Sequence, residues 1–307
     1  MSEKDLVLNQ LSISGFPFQL RVENEVIQTR QQHGWDVETR EQAWASYIPS
    51  RKSGYIDLVL RHSQLAAVRL VVECKRQRNI DARQLQWLFL VPEDGVDETD
   101  IVRCLTVEGH RRATGEFYID ETGSQRPSWV TLRLWDDIRV KPVSFESQFC
   151  FMQGDTPKDR PLLERLCGDL LDSLDGLVEE EIEIAKADTQ SRHLRTFNIP
   201  VVVTNAQLYL CALNVGAISL QDGTISPDQC KVERVPFLRF RKSLSVDLPD
   251  EDAGITNIKQ ANLARERTVF IVNSESLTQF LSGWEVKPFY EHMGYAVQQM
   301  MSRYSNR

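Results

Sequence analysis

The feature that most constrains this chain is a pair of short apolar runs, residues 55–60 and 69–76, that each carry charged side chains. Both have the length and composition of β-strands, and a short connection separates them. A hairpin centred near Leu65 would set Asp57 opposite Glu73. Because strand residues alternate between faces, Lys75 would share the face of Glu73.

Two carboxylates in this arrangement predict a site for a divalent cation. Facing carboxylates repel each other unless a cation lies between them, and carboxylate oxygens are ligands that Mg²⁺ takes in proteins. The alternative is a buried salt-bridge network of Asp57, Glu73 and Lys75. Two acids with one base would leave a buried negative charge uncompensated, which is costly, so we favour the cation site.

A helix before the hairpin adds a further carboxylate to this prediction. Residues 15–33 have a proline in their first turn and are followed by Gly34, which are both signals of helix ends. At about 100° per residue, Glu23 falls within the arc that contains Phe16 and Leu20. We therefore expect Glu23 to point inward. The alternative is a chance interruption of the apolar face.

The segment after the hairpin, residues 79–90, reads as a second helix with Asp81 as its N-cap. This helix would turn Gln84 towards the ends of the two strands. Cations also lie close to the motif in the sequence, and we expect them to form a local basic rim that contacts nucleic-acid phosphates. They are Arg51, Lys52, Arg76, Arg78 and Arg83.

The residues Ile56-Asp57, followed by Glu73-Cys74-Lys75, resemble the PD-(D/E)XK superfamily, whose members have the restriction-endonuclease-like fold. Its signature is an aspartate on one strand and a carboxylate, any residue and a lysine on the next. The resemblance spans residues 15–90 and includes the Gly-Phe-Pro-Phe start of the first helix. Ile56 departs from the signature proline, and Gln19 stands where related helices place a glutamate, one turn before Glu23.

The resemblance implies a nuclease that hydrolyses phosphodiester bonds in single- or double-stranded DNA with Mg²⁺ or Mn²⁺. It implies that Lys75 orients the attacking water and that Gln84 positions a water or a phosphate. A homodimer and a role in bacterial genome defence or DNA repair are also compatible with it. The implied catalytic residues are Asp57, Glu73, Lys75, Glu23 and Gln84, and the implied metal ligands are Asp57, Glu73, Glu23 and the Cys74 backbone carbonyl.

The expected fold class is α/β (α+β). The resemblance implies a restriction-endonuclease-like core in which a central mixed sheet is flanked by helices and elaborated by additional strands and a long helix. Leucines at helical spacing predict that long helix within residues 157–193. An acidic link at residues 248–254 divides the chain into a nuclease domain, 1–247, and a C-terminal α/β extension packed on it, 248–307.

Two further segments predict strands. Residues 199–204 and 207–213 read as a hairpin that turns at Asn205-Ala206. Residues 232–242 alternate apolar and basic side chains, which is typical of a phosphate-contacting strand or of an edge strand protected by charge.

Composition limits the classes of function. The 307 residues carry a formal net charge of -8, which argues against a protein that coats nucleic acid but allows a local basic strip. The N-terminus lacks the features of a signal peptide, and no apolar run reaches the roughly 20 residues of a membrane span. Six scattered cysteines predict reduced thiols in a cytoplasmic protein.

We expect no membrane partner and no small-molecule cofactor. A catalytically inactive nucleic-acid-binding or scaffold protein and an RNA-directed phosphodiesterase are the alternative functions.

Overall fold

The computed structural model of the chain describes residues 2–45, 52–63, 68–77, 86–93, 101–111, 117–119, 128–133, 138–141, 144–152, 161–188, 193–244 and 256–286. The α-helices are α1 (Glu3–Ile13), α2 (Phe16–His33), α3 (Leu162–Ala187), α4 (Ile258–Ala264) and α5 (Leu277–Ser282). Short 3₁₀ helices lie at Val215–Ala217, Pro227–Gln229 and Ser274–Ser276. The strands are β1 (Trp35–Ala45), β2 (Ser53–His62), β3 (Val68–Lys75), β4 (Gln86–Pro92), β5 (Ile101–Arg111), β6 (Phe117–Ile119), β7 (Ser128–Arg133), β8 (Ile138–Val140), β9 (Phe145–Ser147), β10 (Phe149–Met152), β11 (His193–Thr204), β12 (Gln207–Leu213), β13 (Cys230–Val235), β14 (Phe237–Ser243), β15 (Glu266–Asn273) and β16 (Trp284–Val286).

A large mixed sheet organises the fold. Its strands lie in the order β1-β2-β3-β11-β15-β14-β9, and β5 pairs with β11 and carries β6 and β7. The strands β1, β2 and β3 are antiparallel, whereas β11 runs parallel to both β3 and β15. A second sheet has the order β10-β4-β12-β13, and β8 pairs with β16. The predicted class, mixed α/β with a central mixed sheet flanked by helices, is confirmed.

The two faces of the large sheet are covered by different elements. On one face, Val22 and Val26 of α2 pack in the same apolar cluster as Leu58 and Leu60 of β2, together with side chains of α5. On the other face, Val59 of β2 belongs to a cluster built around the leucines of α3 and the second sheet. Alternation along β2 produces this division. A sheet covered on both faces explains why its central strands have nearly continuous apolar sequences.

The predicted hairpin register is confirmed. Leu58 pairs with Val72, Leu60 with Leu70, and the hairpin is centred at residue 65. The pairing ends at Leu58 and Val72, so Asp57 and Glu73 come directly after the last pair of apolar residues. This register brings the two carboxylates to one end of the hairpin.

Helix α2 also follows its sequence signals. Pro17 lies in the first turn, and Gly34 ends the helix in the left-handed conformation, with φ of 73°. A Cβ atom at Gly34 would lie 2.7 Å from Nε2 of His62, so a side chain has no room there. The long helix predicted within residues 157–193 is confirmed as α3, over a shorter span.

Two predicted elements are wrong. The helix predicted at residues 79–90 is contradicted by β4, whose Trp87 and Phe89 are buried while Leu88 and Leu90 are partly exposed. This alternation has the period of a strand, and residues 78–85 lie outside the described part of the chain. Residues 199–204 and 207–213 do form strands, but they are not a hairpin. They belong to β11 and β12, which enter different sheets because each has a parallel partner distant in sequence.

The basic segment at residues 232–242 divides at Pro236 into β13 and β14. Strand β13 is an edge strand of the second sheet with exposed charged side chains, which confirms the edge-strand alternative for that half. Strand β14 lies inside the large sheet between β15 and β9 and fits neither alternative. Arg239 is fully buried, and Arg241 forms an ion pair with Glu146 at 2.9 Å. These two arginines therefore serve a buried ionic cluster.

The predicted domain link, residues 248–254, lies outside the described residues. Strand β15, from the C-terminal side of that link, lies between β11 and β14 in the large sheet. None of the helices in the described ranges is both long enough and apolar enough to cross a membrane.

Candidate active site

A polar cavity of about 300 Å³ lies where β2 and β3 end, beside the start of α2. It contains Asp57, Glu73 and Lys75, which were predicted from the sequence to act together. Its lining residues are Ile13, Ser14, Gly15, Phe16, Gln19, Asp57, Glu73, Cys74, Lys75 and Arg76.

A hydrogen bond fixes Asp57 at the point where the backbone pairing stops. The backbone N–H of Cys74 donates to Oδ2 of Asp57 at 2.7 Å. The N–H and C=O groups of one strand residue point to the same side of the strand, so the Cys74 carbonyl also faces β2. Burial raises the pKa of the Cys74 thiol well above its usual value, and the nearby acids add to the shift. Cys74 therefore serves the site through its backbone.

Burial and neighbouring acids disfavour the ionisation of both carboxyl groups. Burial, followed by the charge of Asp57, raises the pKa of Glu73 to about 7. Burial is also the main reason that the pKa of Asp57 is raised to about 6, and the Cys74 hydrogen bond opposes that shift. Within the described residues, Glu73 forms neither a hydrogen bond nor a salt bridge. A bound cation would supply the compensation that Glu73 lacks.

A third carboxylate, which the sequence reasoning missed, lies beside this pair. Arg40 pairs with Leu58 and Gln42 with Ile56, so Glu41 of β1 lies opposite Asp57. The charge of Glu41 contributes, after burial, to the raised pKa values of both Asp57 and Glu73. Acidic side chains thus occupy one row across three neighbouring strands.

Glu41 has two unusual features. Its φ is 48°, in the left-handed region that favours glycine, which costs about 1 kcal/mol for another residue. Its carboxylate accepts a hydrogen bond from Nε2 of Gln19, which also donates to the Asp57 backbone carbonyl at 3.2 Å. Gln19 is buried in α2 and ties that helix to β1 and β2. The register of β1 against β2 brings Glu41 to the site, and the mainly polar sequence of β1 gives no signal of that register.

Lys75 supplies a positive charge to the site. Its charge lowers the pKa values of Asp57 and Glu73 and so opposes the effect of burial. Among the described residues, no salt bridge joins Lys75 to either carboxylate, and Lys75 is exposed. This geometry does not form the buried salt-bridge network that was the alternative reading of the three residues.

Glu23 is buried, which confirms its inward direction, but it has a different neighbour from the one expected. Its Oε1 lies 3.3 Å from Nη1 of Arg40, and it does not line the cavity. The position one turn earlier on α2, Gln19, is the one that reaches the strand ends.

Two residues of the predicted basic rim, Lys52 and Arg76, lie in the part of the chain that the structure describes. Lys52 forms a salt bridge with Asp172 of α3. Arg76 lines the cavity, and its guanidinium donates to the Ser12 backbone carbonyl. Three of the predicted rim residues and one predicted catalytic residue lie outside the described ranges: Arg51, Arg78, Arg83 and Gln84.

The carboxylate and carbonyl oxygens at the site could hold Mg²⁺ or Mn²⁺ through only a few protein ligands. In the described ranges, no group of three His, Cys, Asp or Glu side chains is placed to hold a metal ion by itself. Mg²⁺ usually keeps several waters and is bound through one or two carboxylates together with substrate phosphates. Asp57 and Glu73, with the Cys74 carbonyl turned towards Asp57, fit that pattern.

No protein-family model, no curated protein and no solved structure matches this chain. The assignment of a function therefore depends on the geometry and chemistry of the cavity.

Proposed function

We propose that this protein is a metal-dependent nuclease of the restriction-endonuclease-like fold that hydrolyses phosphodiester bonds in DNA with Mg²⁺ or Mn²⁺. The observation that carries the proposal is the position of Asp57 and Glu73. They lie at the end of one antiparallel hairpin, in one cavity with Lys75, and each has a raised pKa. Such uncompensated acid pairs in clefts are typical of functional sites.

Asp57, Glu73 and the Cys74 carbonyl would hold the metal ion. When bound, the ion would lower the pKa of a water molecule and offset the negative charge of the scissile phosphate. The Cys74 N–H keeps the Asp57 carboxylate in place before any ion arrives. Gln19 supports the same residue through the Asp57 backbone carbonyl. Such a preformed arrangement reduces the reorganisation required when substrate binds.

Lys75 completes the proposed chemistry. An ammonium group has three donors and no acceptor, so it orients a water through the water oxygen and stabilises negative charge on a phosphate. Lys75 is two residues beyond Glu73 on β3, and its side chain is exposed and therefore accessible to substrate. Arg76, the next residue, lines the cavity and adds a second group able to bind phosphate.

Cleavage of single- and double-stranded DNA and RNA, with Mg²⁺ or Mn²⁺, tests the proposal. We expect wild type to cut DNA, EDTA to stop it, and Lys75→Ala to lose roughly 10²- to 10³-fold in rate. Lys231→Ala, which changes an exposed lysine of β13, is the matched control and should cut like wild type.

The other outcomes separate the alternative functions. Cleavage of RNA alone would identify an RNA-directed phosphodiesterase. Binding of nucleic acid without cleavage would identify a catalytically inactive binding protein. Equal cleavage by wild type and Lys75→Ala would remove Lys75 from the mechanism.

A further inference from the structure

Helix α1 is attached weakly to the rest of the protein. It has no buried residue, and its apolar side chains are each between 47% and 51% exposed. These are Leu6, Val7, Leu8, Leu11 and Ile13. A capping box between Ser2 and Asp5 stabilises its first turn. Even so, a helix of 11 residues is marginal in water without tertiary support.

The C-terminal end of α1 lies at the mouth of the candidate active site. Ile13 and the following residue, Ser14, line the same cavity as the two carboxylates. The guanidinium of Arg76 donates to the Ser12 carbonyl and so joins α1 to the end of β3. The residue that joins α1 to β3 is therefore the immediate sequence neighbour of Lys75.

The hydrogen-bond acceptor of Arg76 in this arrangement is a neutral carbonyl. A phosphate is a charged acceptor that arginine binds through two parallel hydrogen bonds, which are roughly twice as strong as neutral ones. A nucleic-acid phosphate in the cavity would thus compete successfully for Arg76. The cost of losing the Ser12 contact is small because α1 buries no side chain.

We propose that Arg76 exchanges the Ser12 carbonyl for a phosphate of the bound nucleic acid, and that this exchange releases α1 from the mouth of the site. The inference rests on the proposed function, since it requires nucleic acid to bind at this cavity. In the free protein, the C-terminal end of α1 then acts as a gate at the cavity that holds the carboxylates. Because isolated α1 is marginal as a helix, its release exposes its amides to solvent.

Hydrogen exchange of the α1 amides tests the gate. The full chain carrying Lys75→Ala is measured with Mg²⁺, with and without a short DNA oligonucleotide, so that bound DNA stays intact. We expect DNA to speed exchange in α1 at least several-fold while the amides of α2 stay protected. In the double variant that also carries Arg76→Gln, we expect α1 to exchange faster than in the parent without DNA. Addition of DNA should then increase the exchange rate of α1 only slightly. Arg21→Gln, at an exposed arginine of α2 that pairs with Glu25, should behave as the parent.

Fluorescence anisotropy of the same DNA separates the possible failures. If DNA binds and α1 exchange is unchanged or slower, the gate is wrong, and the cleavage assay on wild type decides the proposed function separately. If neither wild type nor Lys75→Ala binds DNA, the proposed function fails and the gate fails with it. Leu8→Pro, which disrupts α1 without touching the cavity, should tighten DNA binding several-fold, and unchanged or weaker binding would contradict the gate.

Discussion

The Asp57 carboxylate accepts a hydrogen bond from the Cys74 backbone N–H at 2.7 Å, directly beyond the last paired residues of β2 and β3. A side chain here takes the place that a backbone carbonyl holds elsewhere in the hairpin. Cys74 therefore takes part through its backbone N–H, and this contact does not constrain its side chain. The same bond holds Asp57 at the end of the hairpin, in the cavity that Glu73 also lines.

The carboxylate pair predicts a distinctive pH dependence of stability in the metal-free protein. The folded-state pKa values, about 6 for Asp57 and about 7 for Glu73, lie above their ordinary values. The folded state then binds more protons than the unfolded chain, so the contribution to stability is present at low pH and is lost as the pH rises through these values. Glu73→Gln should raise the free energy of unfolding at about pH 8 by on the order of 1 kcal/mol and leave it nearly unchanged at about pH 4.

Urea unfolding of wild type and Glu73→Gln across this range measures the effect. The comparison must be made between variants, because burial and His62 lower the pKa of His33 to about 4. That shift gives a slope of opposite sign, with stability lost as the pH falls towards 4. A constant difference between the two proteins at every pH would contradict the predicted repulsion.

Replacing Glu41 should shift this pH profile. Glu41→Gln removes a negative charge that, after burial, raises the pKa values of Asp57 and Glu73. It keeps a side chain at φ of 48°, so the backbone strain stays and the charge alone is changed. We expect the loss of stability with rising pH to continue to a higher pH in wild type than in Glu41→Gln, because the folded-state pKa values set the upper end of that loss. NMR titration of the two carboxyl groups measures the shift directly, and Asp36→Asn, on the same strand and exposed, should leave both groups unaffected.

Glu23 should behave as a structural residue. Its partner Arg40 has a side chain that is 65% exposed, so the ion pair contributes below about 1 kcal/mol. We expect Glu23→Gln to change Mn²⁺ affinity less than about twofold, since the side chain does not line the cavity. A tenfold weaker Mn²⁺ affinity of Glu23→Gln, measured by calorimetry, would show instead that Glu23 is a metal ligand.

The parts of the fold that were predicted from the sequence are those set by neighbouring residues. Helix α2 has Pro17 at its start and Gly34 at its end, and both signals act within one turn. The register of β2 against β3 could be expected from two apolar runs joined by a short connection, because the length of the connection fixes the register of a hairpin. The sequence therefore predicted that Asp57 and Glu73 lie at the same end of the hairpin, and the register confirms this placement.

The errors arose where distant segments decide the structure. Residues 199–204 and 207–213 looked like a hairpin because the turn between them is short, yet parallel partners β3 and β4 separate them into two sheets. Glu41 was missed because β1 is mainly polar, so no apolar pattern indicated its register. Position 41 also has a left-handed backbone conformation, and the sequence has no glycine there to signal it.

Calorimetric titration of Mn²⁺ into wild type and Asp57→Asn tests the central claim most directly. Asparagine keeps an oxygen that can accept from the Cys74 N–H, so the substitution removes the charge with little change of shape. We expect wild type to bind Mn²⁺ and Asp57→Asn to bind it at least roughly tenfold more weakly, because a neutral amide replaces a charged carboxylate ligand. Equal affinities in the two proteins, or no binding by wild type, would contradict the central claim.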